Sequence, residues 1–142
     1  MKLRIQLIDP AATMPTYATD GAACFDLYAA ASARVYGRSN AAIRTGLSFE
    51  VPWGYALMIY SRSGHGFKHG IRLANATGVV DSDYRGEVLV CLHNDSLEDY
   101  IVAPGDRIAQ AMLIQAPMVR FEVAEQLSIT DRGAGGFGST GK

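Results

Sequence analysis

Cysteine is scarce in this sequence, and long apolar runs are missing. The two cysteines, Cys24 and Cys91, lie far apart, which argues against a disulfide framework or a zinc site and suits a reducing cytosol. No segment approaches the ~18 apolar residues of a membrane span, and the N-terminal apolar stretch is too short for a signal peptide. We therefore expect a cytoplasmic protein that does not enter a membrane.

Charge is also low and nearly balanced. The 142 residues include 13 Lys and Arg against 14 Asp and Glu, which gives a formal net charge of −1. Because a general nucleic-acid binder is usually more basic, that class is disfavoured. Hydrophobic residues make up 49% of the chain and charged residues 19%, so the composition favours one folded domain with its own core over a disordered chain.

No long amphipathic helix is indicated either, and only residues 61–69 are predicted to form a helical turn. Apolar patterning predicts short strands at 3–7, 47–51, 55–60, 100–102 and 107–114, and Phe121 and Val123 continue the pattern. The segments 78–80 and 87–92 flank a polar turn and predict a β-hairpin. Short strands with frequent turn signals indicate an all-β barrel or sandwich.

The stretch GVVDSDYRGE at 78–87 concentrates Asp81, Asp83, Tyr84, Arg85 and Glu87 in one turn. A charged, solvated turn explains any one of these residues alone. As a group they also suit a carboxylate at a strand end that activates a water, with an aromatic ring beside it.

The stretch SRSGHG at 61–66 places Arg62 and Ser63 beside glycines. A guanidinium, a hydroxyl and an approachable backbone suit phosphate, although such letters also occur in ordinary loops. His65 and His69 have the spacing of metal ligands on a helix, but no third ligand is evident, so we interpret them as ordinary polar residues. His93, beside a strand, is interpreted as a structural histidine.

Two further polar residues lie in apolar surroundings. Gln110 is explained either by a cross-strand hydrogen bond or by an amide that places a ligand phosphate or its arginine. Asp26 is either a turn former or an outer partner of magnesium.

The C-terminal stretch GGFGSTGK at 135–142 is nearly a phosphate-binding P-loop. A P-loop needs a preceding strand, a following helix and a hydroxyl residue after its lysine, and the sequence offers none of these. The stretch by itself favours a disordered terminus, although Arg132 and Phe137 also suit a flap that closes over a nucleotide.

Five ordered segments together resemble the trimeric dUTP pyrophosphatase (dUTPase) family. They are AACFDLYAA at 22–30, SRSGHGFKHG at 61–70, GVVDSDYRGE at 78–87, DRIAQAMLI at 106–114 and RGAGGFGSTG at 132–141. Each segment is modest alone, but five in this order are highly specific. Cys24 stands where the family usually has glycine, and Ser61 where proline is common.

The resemblance implies a single-domain, all-β subunit of the jelly-roll or β-barrel-like (β-clip) type, with a barrel at 1–131 and a flexible C-terminal arm at 132–142. It implies a homotrimer with three shared active sites, dUTP as the substrate, Mg²⁺ as the cofactor and no nucleic-acid partner. The implied reaction is hydrolysis of dUTP to dUMP and pyrophosphate by in-line attack of water on the α-phosphorus. This reaction cleans the nucleotide pool and supplies dUMP for thymidylate synthesis.

The resemblance also implies roles for individual residues. Asp81 is the general base, Tyr84 is the ring beneath the deoxyribose, and Asp26 contacts the metal through water. The implied uracil pocket comprises Asn75, Val79, Val80 and Leu89. The implied phosphate contacts from a neighbouring subunit are Arg62, Ser63, Gly64 and Gln110. In the arm, Phe137 stacks on the uracil, while Arg132, Gly138 and Ser139 hold the terminal phosphates.

Two other functions are compatible with part of this pattern. A dCTP deaminase shares the implied fold, but the hairpin at 78–87 and the glycine-rich arm favour the pyrophosphatase. A dUTP-binding regulatory module without catalysis is disfavoured by the presence of both Asp81 and Arg132.

Overall fold

The secondary structure consists almost entirely of β-strands in the computed structural model, which describes residues 1–139 and 141. The strands are β1 (Arg4–Leu7), β2 (Thr16–Tyr17), β3 (Phe25–Tyr28), β4 (Ala33–Val35), β5 (Asn40–Arg44), β6 (Leu47–Glu50), β7 (Tyr55–Tyr60), β8 (Ile71–Leu73), β9 (Thr77–Val80), β10 (Leu89–Asn94), β11 (Tyr100–Val102) and β12 (Arg107–Gln115). A helix, α1 (Ser63–His69), lies where the sequence predicts a helical turn and ends at Gly70, whose φ is 65°. The predicted all-β class is confirmed.

The largest sheet is antiparallel, with the strand order β2-β3-β12-β7-β9. One row of paired residues crosses it: Asp26 pairs with Gln110, Gln110 with Tyr60, and Tyr60 with Thr77. Smaller sheets pair β1 with β6, β11 with β4, and β10 with both β5 and β8. The row matters for function because it fixes how far apart the candidate site residues lie.

One apolar core lies between these sheets. Its largest fully buried side chains include Phe49, Leu27, Ile43, Leu57 and Ile108, each at most 2% exposed. They come from β3, β5, β6, β7 and β12, so every sheet except the β11–β4 pair supplies one of them, and Val35 and Val102 add that pair to the same core. Burial of such side chains contributes roughly 1.5–3 kcal/mol each before the entropy cost of folding. The strand ends are thereby held in place.

The predicted β-hairpin between 78–80 and 87–92 is wrong as a strand pairing. β9 pairs with β7, whereas β10 pairs with β5 and β8. The apolar side chains Val90 and Leu92 pack into the core from a different sheet than β9. The polar residues between the two strands therefore form a loop that connects two sheets.

The predicted continuation of strand patterning at Phe121 and Val123 is also wrong. The last strand ends at Gln115, and residues 116–139 have no strand, with Phe121 97% and Val123 99% exposed. Alternation alone does not make a strand, because the backbone also needs a neighbouring edge to pair with. The boundary of the arm at residue 132 stays a prediction; Thr140 and Lys142 of that arm lie outside the described residues.

Across the part of the chain that is described, no helix has the length and apolar character that a membrane crossing requires.

Candidate active site

A cleft of about 300 Å³ opens beside β9 and the loop that follows it. Its lining is Ile59, Asn75, Gly78, Val79, Val80, Asp81, Tyr84, Glu87, Val88 and Leu89. The cleft therefore brings together six residues that were predicted to form one site, and Glu87 of the same motif lines it as well. The six are Asn75, Val79, Val80, Asp81, Tyr84 and Leu89. Val79 and Leu89 are 58% and 54% exposed, so apolar surface lines an open cleft.

The near wall of the cleft is a tight turn between β8 and β9. Ala76 has a φ of 61°, a left-handed conformation that costs a non-glycine residue roughly 1–2 kcal/mol. The amide of Thr77 donates to the carbonyl of Asn75 at 2.6 Å. The side of Gly78 is packed closely as well, since a Cβ there would lie 3.1 Å from Cβ of Ile59. β9 is an edge strand of its sheet, so the backbone along this wall has one side outside the strand pairing with β7.

The far wall is the 81–87 loop, which is tied to strands β5 and β6. Glu87 accepts two hydrogen bonds from Nε of Arg44, at 3.1 and 3.2 Å, and one from the amide of Gly46 at 2.8 Å. The hydrogen bond to Glu87, followed by the negative charges of Glu87 and Asp9, raises the pKa of Arg44. Ser48 donates to the carbonyl of Arg85 at 2.6 Å. The loop is anchored at its C-terminal half, beyond Asp81.

The ring of Tyr84 is folded over the backbone of the same loop. Its hydroxyl donates to the carbonyl of Glu87 at 2.9 Å. A Cβ on Gly86 would overlap the hydroxyl and the ring carbon that bears it, so this position requires glycine for the ring to lie where it does. The sequence indicated Tyr84 but not its dependence on Gly86, which is apparent only from the fold.

Asp81 occupies the first position after β9 and is exposed. Its carbonyl accepts a hydrogen bond from the amide of Tyr84 at 3.3 Å, which closes the start of the loop. The carboxylate thus lines the open cleft beside the aromatic ring, as the sequence predicts. This placement suits a base that receives a proton from a water in the cleft.

A second cluster surrounds Arg62, just before α1. Its Nε donates to Asp26 at 3.0 Å, and Arg107 donates to the other carboxylate oxygen of Asp26 at 3.3 Å. The side chain of Asp26 is only 9% exposed, whereas Arg62 is 24% and Arg107 48% exposed. The two cations compensate one nearly buried anion, and the excess positive charge suits phosphate.

Gln110 and Ser61 hold the backbone that carries Arg62. The side-chain amide of Gln110 donates to the carbonyl of Ser61 at 2.9 Å, which is the cross-strand alternative considered for this residue. The hydroxyl of Ser61 accepts a hydrogen bond from the amide of Leu73 at 2.9 Å. Ser63 and Gly64 follow directly, exposed in the first turn of α1.

The cleft and the Arg62 cluster lie far apart within one chain. Asp26 is in the same row as Thr77 but three strands away, or about 14 Å at ~4.8 Å per strand. Asp81 is four residues beyond Thr77, which adds about 14 Å along the strand. The diagonal between Asp26 and Asp81 is therefore roughly 20 Å.

The C-terminal arm is exposed and makes local contacts. Phe137 is fully exposed, and Nε of Arg132 donates to the carbonyl of Gly135 at 2.8 Å. The amide of Ser139 donates to Gly136, and Gly138 has a φ of 77°. The predicted arm residues are thus near one another in the chain, but none of them lines the cleft.

The described side chains offer few ligands for a metal ion. Among residues 1–139 and 141, no group of three or more His, Cys, Asp or Glu side chains could hold a metal. Both oxygens of Asp26 already accept arginine hydrogen bonds, although a carboxylate can accept about four in total. This donor set fits a magnesium ion carried by substrate phosphates, since Mg²⁺ keeps several waters and needs few protein ligands.

The chain matches the model of the dUTPase family over residues 10–141. It is 47% identical, over 144 residues and all of both chains, to a deoxyuridine 5'-triphosphate nucleotidohydrolase of Nautilia profundicola. Among solved structures, it is similar to the dUTPase of Staphylococcus bacteriophage 80alpha with dUPNHPP, with a TM-score of 0.93, 25% identity and 99% of each chain covered. A phage phi11 dUTPase from S. aureus, with a coordinated structural Mg(II) ion, has a TM-score of 0.85 at 20% identity, covering 91% of this chain and 100% of that one.

Proposed function

The chain belongs to the dUTPase family, and we propose how its own residues carry the hydrolysis of dUTP to dUMP and pyrophosphate. The observation that supports the proposal is the cleft in which Asp81, Tyr84 and the turn at Asn75 meet. A base, an aromatic ring and exposed backbone groups in one cleft suit a nucleotide whose base, sugar and α-phosphate are bound together.

In this proposal, Asp81 accepts a proton from the water that attacks the α-phosphorus. A general base must lie within about 2.6–3.2 Å of the proton's donor, and an exposed carboxylate at the edge of an open cleft can meet a bound water at that distance. Tyr84 lies beside it and packs beneath the deoxyribose. The backbone of the turn at Asn75 and the flanking Val79, Val80 and Leu89 bind the uracil edge.

The phosphate groups are bound by Arg62, Ser63, Gly64 and Gln110 of a neighbouring subunit. The phosphates of one nucleotide are bonded in series, whereas Asp81 lies roughly 20 Å from Asp26, the residue that holds Arg62. The proposal therefore assigns Asp81 and Arg62 of one chain to different nucleotides. A symmetric homotrimer, in which each cleft faces the Arg62 cluster of another chain, resolves this separation.

The C-terminal arm closes the site in the proposal. Phe137 stacks on the uracil, and Arg132, Gly138 and Ser139 bind terminal phosphates. Phe137 is 22 positions beyond Gln115, the end of β12 (137 − 115 = 22), and an extended chain of that length spans up to roughly 70 Å, so the arm can reach another subunit. Closure excludes water other than the nucleophile, and opening permits release of product.

Magnesium is the cofactor in this proposal. Bound to the triphosphate, it supplies positive charge that offsets the charge developing on the leaving pyrophosphate. Asp26 would contact it through water while it holds Arg62 and Arg107. The phi11 protein with its structural Mg(II) ion supports magnesium as a ligand of this fold.

We also propose a cytoplasmic location, which the free thiols of Cys24 and Cys91 support.

One assay tests the proposed function. Pyrophosphate release is measured side by side for dUTP, dCTP, UTP and dTTP, with Mg²⁺ and with excess EDTA. We expect rapid release from dUTP alone, and loss of release in EDTA. Ammonia release from dCTP would identify a deaminase, and tight dUTP binding without turnover would identify a regulatory module.

A further inference from the structure

His65 lies in the middle of the phosphate-binding segment, and neither the proposed chemistry nor the resemblance gives it a function. It is half-buried on α1, one residue after Gly64. Its ring makes an edge contact with Tyr100 on β11, with the ring centres 5.8 Å apart. His69 lies beside both rings, with its centre 5.3 Å from that of Tyr100 and 6.4 Å from that of His65. A polar ring this well surrounded is held in one orientation.

The hydrogen bonds of the ring determine which nitrogen carries the proton. Nε2 of His65 lies 2.6 Å from the carbonyl oxygen of Arg107, which can only accept, so the proton is assigned to Nε2. Nδ1 of the neutral ring is then an acceptor. The hydroxyl of Tyr100 lies 3.0 Å from Nδ1 and donates to it.

The carbonyl of Arg107 is also the acceptor for Arg62. Nη1 of Arg62 lies 3.4 Å from this oxygen and 3.3 Å from Nε2 of His65. Because both nitrogens carry hydrogens, they do not bond to each other; they converge on one oxygen that has two lone pairs. The imidazole therefore lies directly beside Nη1 at this oxygen and limits the positions that the guanidinium can take there.

We propose that His65 is a positioning residue for dUTP hydrolysis, and that it holds the guanidinium of Arg62 in the orientation that meets the substrate phosphates. Asp26 fixes Nε of the guanidinium, and the arrangement of His65 and the Arg107 carbonyl fixes Nη1. Together with the side-chain carbons that carry the guanidinium, these two nitrogens fix the orientation of the group. The proposal rests on the proposed function, because it requires Arg62 to bind phosphate.

The test compares His65→Leu, which keeps the bulk but loses both nitrogens, with His65→Gln, which keeps a terminal N–H near the position of Nε2. The affinity for a non-hydrolysable dUTP analogue, kcat and KM are measured on each trimer. We expect His65→Leu to raise KM and the analogue Kd about threefold to tenfold, the size of one lost hydrogen bond, with kcat changed less. His65→Gln should restore most of the affinity.

The Kd of the analogue is also measured for His65→Leu in an Arg62→Ala background. This comparison distinguishes an effect of His65 on the position of Arg62 from a general effect on the structure. If His65 acts through Arg62, His65→Leu has no further effect on Kd once the guanidinium is gone. An equal loss in both backgrounds overturns the proposal. If Arg62→Ala alone leaves Kd unchanged, the phosphate role of Arg62 fails first, and the role of His65 fails with it.

Tyr100→Phe keeps the inference testable should His65→Leu fold poorly. It removes the hydroxyl that donates to Nδ1 but keeps the ring. We expect a smaller rise in Kd, absent in the Arg62→Ala background. Wild-type Kd in a folded Tyr100→Phe variant would show that the orientation of His65 does not affect phosphate binding, and overturns the proposal.

Discussion

The cleft at Asp81 and the cluster at Arg62 are built in opposite ways. The cleft is open, and its wall at residues 75–80 is a tight turn with a left-handed Ala76, followed by β9, with the exposed residue Asp81 at its edge. The cluster is a network of side chains around a nearly buried Asp26. Backbone groups at fixed spacing suit recognition of a flat base edge, whereas guanidinium groups suit the oxygens of phosphate. One chain holds the two regions about 20 Å apart, so the proposed site takes one region from each of two subunits.

The largest expected effect comes from the cleft half. Asp81→Asn keeps the size of the side chain but removes the base, and we expect kcat to fall ~10²–10⁴-fold while the Kd of a non-hydrolysable dUTP analogue stays near the wild-type value. Asp83→Asn, an exposed carboxylate of the same loop, is the matched control and should retain activity. Near-normal turnover of Asp81→Asn would remove Asp81 from the chemistry.

A test with mixed trimers shows whether the cleft with Asp81 and the arm that closes over it belong to different chains. One protein carries Asp81→Asn with an intact arm, and the second has Asp81 but ends before Arg132. Each homotrimer should be inactive. The two proteins are then unfolded together and refolded at a 1:1 ratio. At each site, Asp81 comes from the second protein in one half of cases, and the arm comes from the first protein in one half of cases. About a quarter of the sites should therefore have both intact parts.

Mixing the same two proteins without unfolding is the control, and should recover little activity if subunits do not exchange. Refolded samples must be shown by mass spectrometry to contain hybrid trimers. Inactive hybrids would mean that the arm serves the site of its own chain or does not serve catalysis.

The sequence was more informative about the cleft than about the Arg62 cluster. Apart from Ile59, the residues that line the cleft are close in sequence (75–89), so local motifs predicted their meeting. In the cluster, Asp26 is 36 positions from Arg62 and 81 positions from Arg107. Only the fold brings these three residues together. The hairpin prediction failed for a related reason: apolar patterning predicts strands, but the choice of partner depends on packing between sheets. Gly86, Ser48 and Arg44 gave no signal as supports of the cleft for the same reason.

The Arg62 half should affect stability as well as binding. Asp26→Asn leaves two guanidinium groups without their anion, and we expect a loss of about 1–3 kcal/mol, less than the ~3–5 kcal/mol of a fully buried pair because both arginines are partly exposed. The Kd of the dUTP analogue should also rise. Urea unfolding at a fixed protomer concentration measures the first effect.

Asp99→Asn is the matched control for that measurement. Asp99 pairs with Arg34 at 3.4 Å, with both side chains largely exposed, so its loss should cost at most about 1 kcal/mol. Equal losses of stability for the two variants would show that Asp26 does not organise the Arg62 cluster.

The smallest effect concerns the sugar, at the edge of the cleft. If Tyr84 packs beneath the deoxyribose, its ring rejects the 2′-hydroxyl of UTP by occupying space, and such steric rejection of one hydroxyl is limited to ~10². Tyr84→Ala should lose most of that discrimination. Gly86→Ala should lose a smaller part, because the added Cβ overlaps the tyrosine hydroxyl and displaces a ring that is otherwise intact. Gly21→Ala is the control, since a Cβ there meets no atom within 4 Å.

The measurement is the ratio of kcat/KM for UTP and dUTP in each variant. A change in Tyr84→Ala but not in Gly86→Ala would mean that the ring keeps its place without Gly86, and no change in either would move Tyr84 out of the sugar site. A graded change would show that the cleft, unlike the Arg62 cluster, obtains its specificity from how closely the backbone lets a side chain approach.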